Sequence, residues 1–247
     1  MSCQHKVWIR NDPDGGVLGP EWTGIPADYK LCQCGTYCSL LLQVDYADNY
    51  WSEKNGHSDM YSQAYNCDLH TENGVSKSRF ILDRIASERG TALEIGCAPG
   101  RMLYWLKWAA RFKYVCAIDP ADAIAIDAIS AHAADAIFTG MFPDVIAELL
   151  KKQTYDYILA SDVFEHSTQP TEFLAECARL LKPGGQLFLM LPLADGLPLD
   201  SRMFVANEHA YLHSKSNMVA MMRDAGFDRL QTDRWCSGHD TITGFKQ

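Results

Sequence analysis

The stretch Thr91-Ala92-Leu93-Glu94-Ile95-Gly96-Cys97-Ala98-Pro99-Gly100 decides the fold of this chain. An apolar run breaks into a glycine-bounded turn, and a helical pattern over residues 100–110 follows at once. A strand that turns tightly into a helix leaves bare backbone at the carboxyl edge of a parallel sheet, where nucleotide-like cofactors bind. The glycine spacing narrows the choice. A dinucleotide fingerprint is Gly-x-Gly-x-x-Gly, whose second glycine lets the backbone approach a pyrophosphate. Here Ala98 stands at that position, Pro99 follows it, and no Gly-Lys-Ser/Thr phosphate loop is present. Glu94, two residues before Gly96, would repel a pyrophosphate and could attract an ammonium. A cofactor without phosphate is expected.

Outward from this turn a βα rhythm runs to the end of the chain. Strands are predicted at 91–96, 114–119, 135–139, 155–161 and 185–191, and helices at 75–88, 100–110, 121–130, 143–152, 170–181 and 214–225. Pro170 suits the first turn of the helix over 170–181, and Lys182-Pro183-Gly184-Gly185 stops it. Phe227–Asp233 and Thr241–Phe245 pair most simply as an antiparallel hairpin at a sheet edge. The expected fold is α/β, a Rossmann-like three-layer sandwich with a mostly parallel seven-stranded sheet and a small N-terminal module. Residues 1–72 form a cysteine-containing, aromatic-rich unit, and residues 73–247 the main domain. Asp119 ends the second strand of that domain, where its oxygens can accept both hydroxyls of a ribose. The plainer alternatives are caps: Glu94 on the neighbouring helix and Asp119 on the helix over 121–130.

Composition excludes several classes. With 47% apolar and 21% charged residues in 247, the chain should be globular. A net charge of −9, from 22 basic and 31 acidic residues, ill suits a groove that neutralises phosphates, so no nucleic-acid partner is expected. No apolar run reaches 18 residues and residues 1–30 carry no apolar signal core, so a cytoplasmic protein with no membrane partner is expected. Its nine cysteines should then be reduced. Cys97, Cys116 and Cys177 fall inside strand or helix patterns as small buried apolar groups.

Four ordered motifs carry a resemblance. Leu93–Gly100, Cys116-Ala117-Ile118-Asp119-Pro120, Tyr155–His166 and Leu180–Gly185 together resemble the class I S-adenosylmethionine-dependent methyltransferases. The resemblance implies that Glu94, Gly96, Cys97, Ala98 and Gly100 surround the methionine end of the cofactor. Asp119 would hold the ribose, Pro120 would lie beside the adenine, and Gly140-Met141 would lie along its ring. Ser161 and Asp162 would close the methionyl side. The family often has an acid where Gly140 stands, so a backbone group is expected to replace that contact to the adenine amino group.

A methyl on a sulfonium is already activated, and transfer needs nucleophile, carbon and sulfur held in line. A hydroxyl or carbon acid also needs a proton acceptor titrating near neutral pH. Residues 208–227 resemble the matching region of sugar and natural-product methyltransferases, which implies His209 as general base. By that likeness Glu208 is its orienting or substrate-binding partner and Tyr211 lines the acceptor, with His213 a further candidate. The bland alternative is that Ser214 caps the following helix and His209 packs against it. His166, after Glu165, is a second catalytic candidate, although in relatives such a pair usually braces the loop. Tyr46, Tyr50, Trp51, Tyr61 and Tyr65 could fold a lid that excludes water.

The same subgroup often carries an N-terminal zinc module, which implies a structural zinc on Cys3, His5, Cys32 and Cys34. Only one residue separates the members of each pair, narrower than the family pattern, and Cys38 could replace one ligand. The chain stops soon after its last strand, which weakens sugar C-methylation. The expectation is methyl transfer to an oxygen, nitrogen or carbon of a small polar metabolite, a sugar or natural product in class, by a monomer or homodimer. A protein or RNA methyltransferase and a non-catalytic adenosyl-ligand-binding protein are the alternatives.

Overall fold

The computed structural model describes residues 8–9, 29–40, 76–85, 90–97, 100–121, 133–144, 153–195, 197–198, 200–201, 203–236 and 238–247. In chain order its elements are β1 (Trp8–Ile9), β2 (Tyr29–Cys32), β3 (Tyr37–Ser39), α1 (Lys77–Leu82), β4 (Thr91–Ile95) and α2 (Arg101–Tyr104). There follow β5 (Tyr114–Asp119), β6 (Ala136–Thr139), β7 (Tyr155–Ser161), α3 (Pro170–Leu180), β8 (Leu181–Leu191), β9 (Tyr211–Leu212), α4 (Lys215–Asp224), β10 (Phe227–Cys236) and β11 (His239–Lys246).

Seven strands form the main sheet in the order β10-β11-β8-β7-β4-β5-β6. β4 lies between β5 and β7 and is parallel to both. Alternation along the strands explains why both faces are covered. Leu93, Ile95, Cys116, Ile118, Ile158 and Ala160 enter one core, with Phe173 and Leu174 of α3 and Met218 and Met222 of α4. Their neighbours Ala92, Val115, Ala117, Tyr157 and Leu159 enter the other, with Phe80 and Ile81 of α1 and Leu103 of α2. This is the expected three-layer sandwich, and every strand of its parallel part ends at one edge.

Several boundaries differ from the sequence pattern. β8 starts at Leu181 rather than 185, because Leu181 already pairs with Tyr155. The Pro-Gly-Gly segment is absorbed there as an irregularity in the ladder, with Gly184 at φ +74°. The helix predicted over 75–88 is shorter, Lys77–Leu82, with the Ser76 hydroxyl accepting from the Arg79 N–H at 3.2 Å. The helix predicted over 100–110 widens after Tyr104 into a π-helix over Trp105–Ala109. The C-terminal hairpin extends further than predicted, to Cys236 and His239. Most of the helices predicted over 121–130 and 143–152 lies outside the described residues.

The small sheet has the order β1-β2-β3-β9, and its last strand comes from the loop after β8. Tyr37 pairs with Leu212 and Cys38 with Tyr211. Tyr29, Leu31, Ala206 and Leu212 form its core, with Tyr37 and Phe204 packed against them. The N-terminal segment is thus bound to the loop that carries the histidine candidates. No helix among the described residues is long and apolar enough to cross a membrane.

Candidate active site

Parallel register brings the first two motifs together. Glu94 pairs with Ala117 and Ile95 with Ile118, so the turn after β4 stands beside the end of β5. The Gly96 N–H donates to the Ile118 carbonyl at 2.7 Å, and Gly96 sits at φ +70°. A Cβ at Gly96 would lie 2.3 Å from the Val163 Cγ2, so only glycine allows this close approach. Gly100 closes the turn at φ +78°. Cys97 is buried, and burial pushes its thiol well up, so it packs rather than reacts. Ala98 and Pro99 lie outside the described residues.

Glu94 is only 4% exposed, and its Oε2 has no hydrogen-bond partner among the described residues. Burial raises its carboxyl well above the usual range, Lys77 opposes that shift, and Asp119 adds to it. Asp119 accepts from the Ala121 N–H at 3.0 Å through Oδ1, which orients the carboxylate at the strand end, while the helix it was expected to cap lies outside the described residues beyond Ala121. Pro120 follows, half-buried. Gly140, at φ +143°, donates its N–H to the Asp119 carbonyl at 2.9 Å, which places Met141 beside the same edge with an exposed side chain.

The third part of the edge follows β7. The Ser161 hydroxyl donates to Asp162 Oδ2 at 3.2 Å, and Asp162 sits at φ +57° with its N–H on the Met190 carbonyl at 2.8 Å. Lys77 of α1 forms an ion pair with Asp162. His239 Nε2 lies 3.4 Å from the other carboxylate oxygen, in contact but without hydrogen-bond alignment. Burial alone would raise the Asp162 carboxyl, but Lys77 and then His239 prevail and bring it down to about 2. Lys77 therefore joins the Glu94 and Asp162 sides of the edge, and the sequence pattern did not single it out. Its only signal was a place just inside a capped helix before the first strand.

Next to Asp162 is a cluster of Glu165, His166 and His209, whose ligating atoms all lie within 4.8 Å of one another. The two imidazoles meet edge to face at 4.9 Å. His166 Nδ1 donates to the Glu208 carbonyl at 3.0 Å, and His209 Nδ1 donates to the Met203 carbonyl at 2.7 Å. Because carbonyls only accept, both rings carry the Nδ1 proton when neutral. Burial lowers the His209 imidazole against the opposing pull of the Met203 hydrogen bond, Glu208 and Asp162. Glu208 itself is half-buried and meets His166 through its backbone carbonyl.

Other predicted residues fall elsewhere. Tyr211 lies in β9, stacked on His213 at 5.3 Å, and His213 is fully buried against Phe164. Ser214 caps α4, with its Oγ accepting from the Asn217 N–H at 3.3 Å and donating to the Cys34 carbonyl at 2.5 Å. Cys32 is buried at the end of β2, and the Cys34 thiol donates to the Thr36 hydroxyl at 3.3 Å within a tight turn. Cys3, His5, Tyr46, Tyr50, Trp51, Tyr61 and Tyr65 lie outside the described residues.

A mostly parallel seven-stranded sheet with a glycine turn after its central strand and acids at the ends of adjacent strands is the class I S-adenosylmethionine-dependent methyltransferase fold. The left-handed glycines and the orphaned Glu94 oxygen suit a ligand that carries an ammonium and no pyrophosphate, so the residues present fit this cofactor. The chain belongs to the family described as "Methyltransferase domain", which matches residues 70–232. It is similar to the ubiquinone biosynthesis O-methyltransferase of Caulobacter vibrioides, 37% identical over 103 residues, covering 40% of this chain and 39% of the relative. It is also similar to the tRNA U34 carboxymethyltransferase of Colwellia psychrerythraea, 28% identical over 167 residues, covering 63% of this chain and 51% of the relative. The chain thus spans about half or less of the length of these two relatives. Among solved structures, an O-methyltransferase family protein from Burkholderia thailandensis superposes with a TM-score of 0.60 at 16% identity, covering 80% of this chain and 63% of that one, a likeness of fold.

Proposed function

We propose that the protein transfers a methyl group from S-adenosylmethionine to an oxygen of a small polar molecule. The observation that carries the cofactor half is Glu94, buried with an unpartnered Oε2, on the strand beside the one that Asp119 ends. In this reading Glu94 receives the methionine ammonium and Asp119 the ribose hydroxyls. Backbone of Gly96 and Gly100 lies against the tail, and Gly140-Met141 against the adenine. The bound cofactor supplies a methyl carbon on a sulfonium, and the acceptor's lone pair forms the new bond as the carbon–sulfur pair returns to sulfur.

Oxygen is favoured over nitrogen because a hydroxyl must lose a proton, and Glu165, His166 and His209 gather next to Asp162 at the same edge. The name of the Caulobacter relative supports the same choice. The name of the tRNA relative favours RNA, but a net charge of −9 opposes a phosphate-rich partner. A metabolite is therefore preferred, a sugar or natural product among them.

The N-terminal unit, residues 1–72, is assigned two supporting roles. Its aromatic stretch covers the acceptor, and Cys3, His5, Cys32 and Cys34 hold a structural zinc, a set supported by the tight turn that carries Cys32 and Cys34. A zinc content unchanged from wild type after Cys32→Ser would remove that ligand set.

The test has two arms. Calorimetry with S-adenosylhomocysteine should give one site per chain, and a metabolite screen should yield a product heavier by one methylene. Well-folded protein that gives no binding heat refutes the cofactor reading. Binding followed by methylation of RNA alone refutes the acceptor class.

A further inference from the structure

We propose that Glu165, His166 and His209 hold a divalent cation that binds the acceptor's oxygen. Two histidine nitrogens and one carboxylate oxygen form an established donor set for Zn²⁺ and for Mn²⁺- or Fe²⁺-like ions, and three protein ligands leave positions open for substrate. Their ligating atoms lie within 4.8 Å of one another. Ligands on one tetrahedral ion stand about 3.4 Å apart, so closure draws these atoms together by up to about 1.4 Å, a distance side-chain rotation can cover.

Two further observations point to a ligand here. Glu165 is 1% exposed, and its Oε2 has no hydrogen-bond partner among the described residues. A buried carboxylate oxygen without a partner is costly and calls for a compensating cation or proton. Both histidines also donate Nδ1–H to a backbone carbonyl, His166 to Glu208 and His209 to Met203. This is the outer-shell arrangement that fixes a metal-binding imidazole with its lone pair on Nε2. Neither carbonyl acceptor is a side chain, so the rings are held by the fold of the loop itself.

The inference rests on the oxygen-acceptor reading above and changes one role within it. A His209 nitrogen that gives its lone pair to a cation does not accept a proton. Instead, the cation polarises the acceptor hydroxyl and its proton passes to water. The oxygen lone pair then bonds to the methyl carbon, and the carbon–sulfur pair leaves with sulfur.

The test uses the full chain saturated with S-adenosylhomocysteine and Mn²⁺ alone as probe, because a hard ion disfavours the thiolates of Cys32 and Cys34. Titration followed by electron paramagnetic resonance should show one bound Mn²⁺, with pulsed spectra carrying modulation from ligated imidazole nitrogen. Glu165→Gln and His209→Gln should each weaken Mn²⁺ binding at least tenfold while S-adenosylhomocysteine binding changes less than twofold. Wild-type protein that binds S-adenosylhomocysteine yet shows no imidazole-ligated Mn²⁺ at millimolar concentration overturns the cation and leaves the methyltransferase reading standing. Absence of S-adenosylhomocysteine binding overturns both. Should either variant fail to fold, the wild-type nitrogen signal decides the question.

Discussion

Cofactor binding should release a proton from Glu94. In the ligand-free protein, burial raises this carboxyl well above the usual range, and the Lys77 charge only partly offsets it. Folding without ligand therefore favours the neutral acid, and its contribution to stability fades as pH rises through the raised value. An ammonium placed against the orphaned Oε2 favours the carboxylate, so the proton must leave as the ligand arrives. Affinity for S-adenosylhomocysteine should consequently increase with pH, by at most about tenfold per pH unit, and level off above the ligand-free value. Glu94→Gln keeps the shape and an acceptor but loses the charge. Hydrogen bonds to charged groups are stronger than neutral ones by about 1–2 kcal/mol, so the variant should bind roughly 5- to 30-fold more weakly where the wild type is ionised. At low pH the two proteins should converge. Calorimetry in two buffers of different ionisation enthalpy counts the protons directly, and the variant provides the baseline for titration elsewhere. Equal proton release in both proteins, with affinities within twofold across the range, would refute the assignment of Glu94 to the ammonium.

Gly96→Ala adds a Cβ 2.3 Å from Val163 Cγ2 at a φ of +70°, and should abolish S-adenosylhomocysteine binding. Val163→Ala in the same chain should restore only part of it, because the backbone strain of about 1–2 kcal/mol persists. Burial alone would raise the Asp156 carboxyl, but Lys182 and then the Thr91 N–H and hydroxyl outweigh it and hold it below its usual range. Its contribution to stability is thus present above the unfolded value of about 4 and lost as pH falls through the folded one. A melting-temperature series should show a smaller acid loss for Asp156→Asn than for the wild type, and identical slopes would count against this account. Ser214→Ala removes the α4 cap and the contact to the Cys34 carbonyl together. Denaturant unfolding should reveal a loss of about 1–2 kcal/mol, and a change under 0.3 kcal/mol would show the cap to be idle.

What the sequence made legible was local. Gly96 and Gly100 need a left-handed backbone a few residues from the strand they terminate, and Asp119 ends its own strand. Glycine spacing and apolar alternation report such constraints because the residues that impose them are adjacent in the chain. The Pro-Gly-Gly segment misled for the complementary reason. It reads as a helix stop followed by a later strand, yet pairing of Leu181 with Tyr155 extends β8 through it. A ladder hydrogen bond from a neighbouring strand outweighs local turn preference, and periodicity carries no trace of it.

The charged edge shows the same division more sharply. Lys77 reaches Asp162 across 85 positions, and His166 reaches the Glu208 carbonyl across 42. Asp162, His166 and Glu208 stand out as candidates in the sequence, but Lys77 is only a lysine in a helix, and neither pairing is visible there. Their effect arises only when the parallel sheet brings the ends of β4, β5 and β7 to one side. There Asp119 perturbs Glu94, Lys77 acts on Glu94, Asp162 and Glu165, and Asp162 perturbs Glu165. Among the described residues, one lysine set among these four acids leaves the edge net acidic when they ionise. Burial, with a neighbouring acid adding to it, raises two of these carboxyls, Glu94 and Glu165, well above the usual carboxylate range. The edge also suits ligands that arrive with positive charge: an ammonium for Glu94 and, in the inference above, a divalent cation for Glu165. Motifs therefore identify the cofactor, whereas the side chains proposed for the acceptor site come from separate loops. Only their convergence at the sheet edge makes them readable.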